Sequence, residues 1–218
     1  MSKKNKNRGL NDNIKYGLFA VIIIVVIALI GFCAYKILET TKESTKPKIV
    51  EKNVKEIEGY NIHVDDTDTD LYRDEYTKLK ENLESNEIDY DSYAQSVAKM
   101  FIIDLYTIKN KLNKYDVGGI DFVLPSALEN YKTNVTDTIY KYVEDNSNNN
   151  RSQQLPVVKS ITITNTKKDK FKIESDNKKY DSYIFDISWT YSQDLGYDIK
   201  GEVIVIRKDN KMYVVEKN

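Results

Sequence analysis

The chain has 218 residues, with 33 Lys and Arg, 34 Asp and Glu, and a formal net charge of −1. Five basic residues crowd the first fifteen positions; without these, Lys36 and Asp12, the chain keeps 27 basic and 33 acidic residues. Because an acidic surplus gives no attraction to phosphates, we exclude nucleic acid as a partner. Cys33 and His63 are the only cysteine and histidine, which excludes an intrachain disulfide, a thiolate zinc site and any mechanism that needs two imidazoles.

Residues 16–36 are predicted to form a transmembrane helix. The stretch from Tyr16 to Tyr35 has twenty residues without a charge, enough for a helix rising about 1.5 Å per residue to cross a hydrocarbon layer of about 30 Å. This stretch is longer than the apolar part of a signal peptide, and Phe32 stands where a lipoprotein signal has a small residue. The short basic tail, residues 1–15, favours a cytoplasmic N-terminus and an extracytoplasmic C-terminal domain.

Residues 37–69 are predicted to be a stalk, because they are polar and end in a run of acidic residues. A calcium-binding loop needs Gly at its sixth position and Glu at its twelfth. With Asp66 as the first position of such a loop, these two positions hold Leu71 and Thr77. The acidic run therefore predicts a solvated linker rather than a metal site.

Three stretches with the apolar spacing of an amphipathic helix follow the stalk. They cover residues 72–83, 93–112 and 125–142. The second has an apolar stripe wide enough to pack against a sheet, and the turn signal at residues 116–119 ends it. The third starts at a proline, which suits a first helical turn.

After Pro156 the apolar period changes from 3.6 to 2, which predicts strands. The segments with this period are 161–164, 170–173, 183–191, 203–206 and 212–215. Val203–Ile206 is apolar on both faces and is predicted to be a central strand, and the short connections favour antiparallel pairing. Helices followed by a curved antiparallel sheet predict an α+β domain over residues 70–218.

This order of elements resembles the NTF2-like superfamily, in which helices pack into a strongly bent antiparallel sheet. More narrowly, it looks like the extracytoplasmic domains of VirB8-type conjugation and secretion proteins, including the TcpC group, which follow a cytoplasmic tail, one membrane span and a linker. The resemblance covers the anchor and about residues 90–218, and it carries no functional residue across. It implies a non-enzymatic scaffold or assembly component of a bacterial envelope complex that contacts other envelope proteins and associates with itself.

Four residues are candidates for lining a pocket in the bent sheet: Asp104, Tyr106, Asp186 and Trp189. Asp104 lies at the edge of its helical stripe, and Asp186 points away from the strand face that carries Trp189, so both are interpreted as ordinary boundary or surface carboxylates. No catalytic, cofactor-binding or metal-binding residue is predicted. A ligand-binding or sensor domain that uses this pocket is the alternative hypothesis to the scaffold.

Overall fold

The computed structural model describes residues 55–57 and 60–218. The predicted cytoplasmic tail at 1–15 and the predicted transmembrane helix at 16–36 lie outside the described residues. Within the described part, no helix combines the length and the apolar character needed to cross a membrane.

A small hairpin opens the described chain, where the sequence predicts part of the stalk. Strands β1, Lys55–Ile57, and β2, Ile62–Val64, pair antiparallel. The side chains of Ile57, Ile62 and Val64 are buried in the core of the domain. The boundary of the stalk at residue 69 is therefore corrected: the folded domain already includes residues 55–57 and 60–69. The hairpin has few apolar residues and they stand among polar ones, so their spacing in the sequence is too short a pattern to predict these two strands.

Two helices follow at the predicted places. Helix α1, Asp70–Leu83, starts at the N-cap Thr69, whose side chain accepts a hydrogen bond from the backbone N–H of Tyr72. Helix α2, Tyr90–Tyr106, starts at the N-cap Asp89 in the same way. It ends six residues before the predicted Leu112, because Thr107 leaves the helical conformation at φ −89° and ψ 73°.

The third helix is shorter than the sequence predicts. A 3-10 turn at Pro125–Ala127 leads into helix α3, Leu128–Asp137. Thr138, with φ −118° and ψ −89°, ends this helix before the predicted Tyr142. The turn that follows buries Tyr140 completely, so its apolar ring belongs to the core although it lies outside the helix.

The sheet has four antiparallel strands in the order β3-β4-β5-β6. Their bounds are Val158–Ile173 for β3, Lys178–Tyr191 for β4, Lys200–Lys208 for β5 and Lys211–Lys217 for β6. The two predicted segments at 161–164 and 170–173 merge into β3, whose pairing shifts at a bulge between Ile163 and Asn165. The predicted α+β class is confirmed, with helices packed on an antiparallel sheet.

The inner face of the sheet packs against α2 and forms the core. On β4, Phe185, Ile187 and Trp189 are 0–2% exposed, as the alternation of the sequence predicts. Strand β5 pairs with neighbours on both sides, which confirms it as a central strand. Its residues alternate between the inner face and the opposite, outer face, and both faces of Val203–Ile206 are buried.

Candidate functional site

Two of the four predicted pocket residues meet in the core. The ring centroids of Tyr106 and Trp189 are 4.9 Å apart, and both side chains are nearly fully buried. The Tyr106 hydroxyl donates to Asp198 Oδ2 at 3.0 Å, and Trp189 Nε1 donates to the Tyr191 hydroxyl at 2.8 Å. Burial raises the pKa of Tyr106, with the nearby Asp198 carboxylate adding to the shift. These contacts make the pair a packed core element with satisfied polar groups.

Asp104 and Tyr106 lie on different sides of α2, because residues two positions apart in an α-helix are separated by about 200° around its axis. Asp104 Oδ2 accepts a hydrogen bond from the backbone N–H of Gly119 at 2.6 Å, and Asp104 Oδ1 pairs with Lys111 Nζ. The Asp104 carboxylate therefore joins the end of α2 to the loop at residues 116–119, a role in the architecture of the domain.

Asp186 lies on the outer face of the sheet, opposite to Trp189. Its Oδ2 accepts from Asn165 Nδ2 at 2.9 Å, and in the ladder it pairs with Glu202 of β5. The structure thus brings together Tyr106 and Trp189 alone among the four predicted residues, and it places Asp104 and Asp186 in two other environments.

An apolar groove of about 340 Å³ lies between α2, α3 and β6, and we call it the α3–β6 groove. Its floor consists of buried apolar side chains: Phe101, Leu105, Val123, Val135 and Val214. Its rim is formed by exposed small and polar residues of α3 and of the residues that flank this helix at either end: Ala127, Asn130, Asn134 and Thr138. The rim residues recur at helical spacing. Small polar residues in this pattern are typical of the side of a helix that faces solvent, so no groove is indicated by the sequence.

The other wall of the α3–β6 groove is the outer edge of β6, which is the last strand of the sheet. Asn218 and Glu202 exchange two backbone hydrogen bonds, of 2.9 and 3.0 Å. Because such pairs alternate along an antiparallel ladder, the neighbouring Lys217 directs its backbone N–H and C=O away from β5. Val123 already forms a parallel bridge with Val214 at this edge. The groove therefore presents backbone hydrogen-bonding groups beside an apolar floor.

A polar cavity of about 480 Å³ lies between α1 and α2. The buried carboxylate of Glu75 stands at its base, with Lys78 Nζ at 2.8 Å and Lys99 Nζ at 3.6 Å from Glu75 Oε1. These opposite charges neutralise each other, so we interpret the cavity as a satisfied surface network.

His63 is held against the domain rather than in a linker. Its Nδ1 lies 2.9 Å from Asp121 Oδ2, and its backbone N–H donates to the same oxygen at 3.2 Å. The Tyr72 hydroxyl donates to the carbonyl of His63 at 3.2 Å. Burial raises the pKa of Asp121, which the contact with His63 opposes. These contacts fasten the β1–β2 hairpin to the domain, and no group of three metal-binding side chains occurs among residues 55–57 and 60–218.

No family model, curated protein or solved structure matches this chain. The resemblance to the NTF2-like superfamily therefore stays a prediction, and the function has to be argued from the geometry of the α3–β6 groove.

Proposed function

We propose that this chain is a membrane-anchored, non-enzymatic scaffold of a bacterial envelope complex, whose exterior NTF2-like domain holds a partner protein in the α3–β6 groove. The membrane anchor in this proposal is the apolar stretch at residues 16–36. The complex would function in transfer across the envelope, as in conjugation or type IV secretion. The observation that carries the proposal is the groove itself.

The composition of the α3–β6 groove favours a peptide segment as its occupant. Buried Phe101 and Leu105 offer an apolar floor for an anchoring side chain, while Asn130 and Asn134 offer hydrogen bonds at the rim. The backbone groups of Lys217 can pair with an extended segment, as in other cases of recognition at a strand edge. A site with an apolar centre, a polar rim and a free strand edge suits a protein partner.

The volume of the groove supports a second candidate, a domain that senses a small apolar molecule. The value of about 340 Å³ falls near the lower end of the range of about 300–1,000 Å³ typical of small-molecule sites. The sensor function gives no role to the strand edge of β6 or to the open rim on α3. We therefore rank it second to the scaffold function.

The test is photo-crosslinking of the full chain in its native membrane. A photoreactive amino acid at Asn134, on the rim, should give one reproducible crosslinked partner. The substitution Ala127→Trp fills the groove from an exposed position and should abolish this product. The control is the same photoreactive group at the exposed Asn177, in the turn between β3 and β4.

A product that persists in the Ala127→Trp variant, or that also forms from Asn177, contradicts binding of a protein in the groove. Native mass spectrometry of the purified chain separates the two candidates. A bound small molecule of discrete mass, present in the wild type and lost from Ala127→Trp, would replace the scaffold by the sensor.

A further inference from the structure

A second cleft, of about 340 Å³, lies between the β1–β2 hairpin and α1, and we call it the hairpin–α1 cleft. The hairpin and the two residues after it contribute one wall: Lys55, Val64, Asp65 and Asp66. Helix α1 contributes the other: Arg73, Tyr76, Thr77 and Lys80. The volume falls within the range of about 300–1,000 Å³ that small-molecule sites have. None of these residues lines the α3–β6 groove.

The floor of the hairpin–α1 cleft holds a polar group that lacks a partner. Tyr76 is 5% exposed, and in the part of the chain that the structure describes its hydroxyl forms no hydrogen bond. The equally buried hydroxyl of Tyr140 has two partners. A buried hydroxyl without a partner destabilises a fold, and a ligand on the floor can supply the missing acceptor. Burial raises the pKa of Tyr76, so at neutral pH the hydroxyl keeps its proton and acts as a donor.

One end of the cleft is positively charged. Arg73, Tyr76 and Lys80 recur on α1 at intervals of three and four residues, so they lie on one side of the helix. Lys80 stands one turn beyond Tyr76, and its pair with Glu84, at 3.6 Å, is solvent-exposed and therefore weak. Lys55, on the opposite wall, forms no ion pair within the described residues. A carboxylate that accepts from the Tyr76 hydroxyl would meet these ammonium groups.

The other end of the cleft is acidic. The guanidinium of Arg73 donates to the backbone carbonyls of Asp65 and Asp66 at 3.3 and 2.9 Å, which holds both residues beside the first turns of α1. Asp65 Oδ1 also accepts from the backbone N–H of Thr67 at 2.6 Å. Because a carboxylate accepts several hydrogen bonds, both side chains can receive an ammonium besides their contacts within the domain.

The mixed charges of the lining discriminate between ligand classes. A simple anion is repelled by the two carboxylates, Asp65 and Asp66, and a simple cation is repelled by Lys55, Arg73 and Lys80. A zwitterion satisfies both ends. From Arg73 to Lys80 the helix rises about 10 Å, whereas the two ends of an extended dipeptide are roughly 7 Å apart at about 3.5 Å per residue. Flexible lysine and aspartate side chains close the remaining distance.

We propose that the hairpin–α1 cleft binds a short peptide with both ends free. Its carboxylate accepts a hydrogen bond from the Tyr76 hydroxyl and lies beside Lys80. Its ammonium contacts Asp65 and Asp66, and its side chains pack on the buried Val64. A single amino acid is a weaker ligand, because its two charges are too close together to reach both ends of the cleft.

The test is ¹H–¹⁵N NMR of the full chain, labelled with ¹⁵N in detergent micelles and titrated with L-alanyl-L-alanine. The amide signals of Tyr76 and Thr77 should move to saturation with a Kd of about 1 mM, as expected of a small ligand held by a few polar contacts. The N-acetyl dipeptide lacks the ammonium, and the dipeptide amide lacks the carboxylate. Each should bind about tenfold more weakly, because a charged hydrogen-bonding group is lost.

Two variants assign the ends of the peptide. Tyr76→Phe removes the donor and should raise the Kd of the dipeptide about tenfold, while the Kd of the dipeptide amide stays unchanged. Asp66→Asn should raise the Kd of the dipeptide about threefold and leave that of the N-acetyl dipeptide unchanged. Tyr115→Phe is the control, since it removes a hydroxyl from a ring that is 71% exposed, and it should bind as the wild type does.

Urea unfolding of the free chain separates binding from folding. Because the Tyr76 hydroxyl has no partner there, Tyr76→Phe should keep or raise the unfolding midpoint. A lower midpoint would show that the hydroxyl is already bonded and would overturn the proposal. So would a wild type without saturable shifts at about 20 mM dipeptide, or one whose Kd equals that of Tyr76→Phe. The cleft is independent of the groove: Ala127→Trp should not change the Kd, and Tyr76→Phe should not change the crosslink from Asn134.

Discussion

Gly118 lies against the backbone of Asp104 so closely that a Cβ on Gly118 would come within 2.2 Å of the Asp104 carbonyl oxygen. The next residue, Gly119, has φ 78° and donates its N–H to the Asp104 carboxylate. The glycine pair thus lets the loop at 116–119 lie directly on the last turns of α2. The sequence stretch from Phe101 to Gly119 serves this junction.

The first prediction concerns this close approach. Gly118→Ala should lower the free energy of unfolding by about 2–4 kcal/mol, because the Asp104 carbonyl oxygen is backbone and cannot turn away as a side chain could. The measurement is urea unfolding followed by the fluorescence of Trp189, the only tryptophan of the chain. Gly196→Ala is the matched control, since a Cβ there meets nothing within 4 Å and only its φ of 77° carries a cost. Equal losses in the two variants would contradict the steric argument.

The second prediction concerns the buried hydroxyl of Tyr140, which joins the same two segments. It donates to the carbonyl of Leu105 at 2.7 Å and accepts from the N–H of Gly118 at 3.3 Å. Tyr140→Phe should cost about 1–3 kcal/mol, because it leaves two buried backbone groups without their partner. Tyr142→Phe removes the same hydroxyl from a ring that is 77% exposed and should change stability by less than about 0.5 kcal/mol.

The third prediction concerns the ion pair between Asp104 and Lys111, whose side chains are 17% and 11% exposed. Asp104→Ala should destabilise the domain by about 3–5 kcal/mol, because Lys111 then keeps a nearly buried charge without its partner. Adding Lys111→Met to Asp104→Ala should recover part of that loss. A double variant whose loss equals the sum of the two single losses would show that the residues are not coupled.

The sequence allows the main elements to be predicted, because burial against one face imposes a period on α1, α2 and the strands. It does not reveal where helices end, since Thr107 and Thr138 leave the helical conformation for tertiary reasons while apolar spacing continues through Leu112 and Tyr142. Leu112 and Tyr142 are 50% and 77% exposed, so the continued spacing was misleading.

The candidate sites were the least predictable part. The α3–β6 groove depends on how α3 lies beside β6. These two segments are about 80 residues apart in the sequence, and no local pattern encodes their relative placement. Asp104 and Tyr106 are close in sequence, yet the helix turns them to different sides. The burial of the outer face of the sheet at β5 could be predicted in part. The segment Val203–Ile206 is apolar on both faces, which predicts that both sides of β5 are covered.

The last prediction concerns pH. Burial raises the pKa of Asp68 to about 6, and the neighbouring Asp104 carboxylate adds to the shift while a hydrogen bond from the Asp65 N–H opposes it. The folded state therefore holds a proton on Asp68 up to about pH 6, whereas the unfolded chain releases it near its ordinary pKa of about 3.9. Stability should consequently fall as the pH rises from about 4 to above 6, by about 1–2 kcal/mol once solvent screening is allowed for.

Asp68→Asn tests this sign, because an amide cannot ionise and its oxygen can still accept the hydrogen bond from Asp65. The variant should be more stable than the wild type at pH 8 and nearly equal to it at pH 4.5, in urea unfolding followed by Trp189 fluorescence. Asp74→Asn, on an exposed residue of α1, is the control and should leave the difference between the two pH values unchanged. If the free energy of unfolding changes between pH 4.5 and 8 by the same amount in the wild type and in the Asp68→Asn variant, then Asp68 has the same pKa in the folded and unfolded states, and the prediction is wrong.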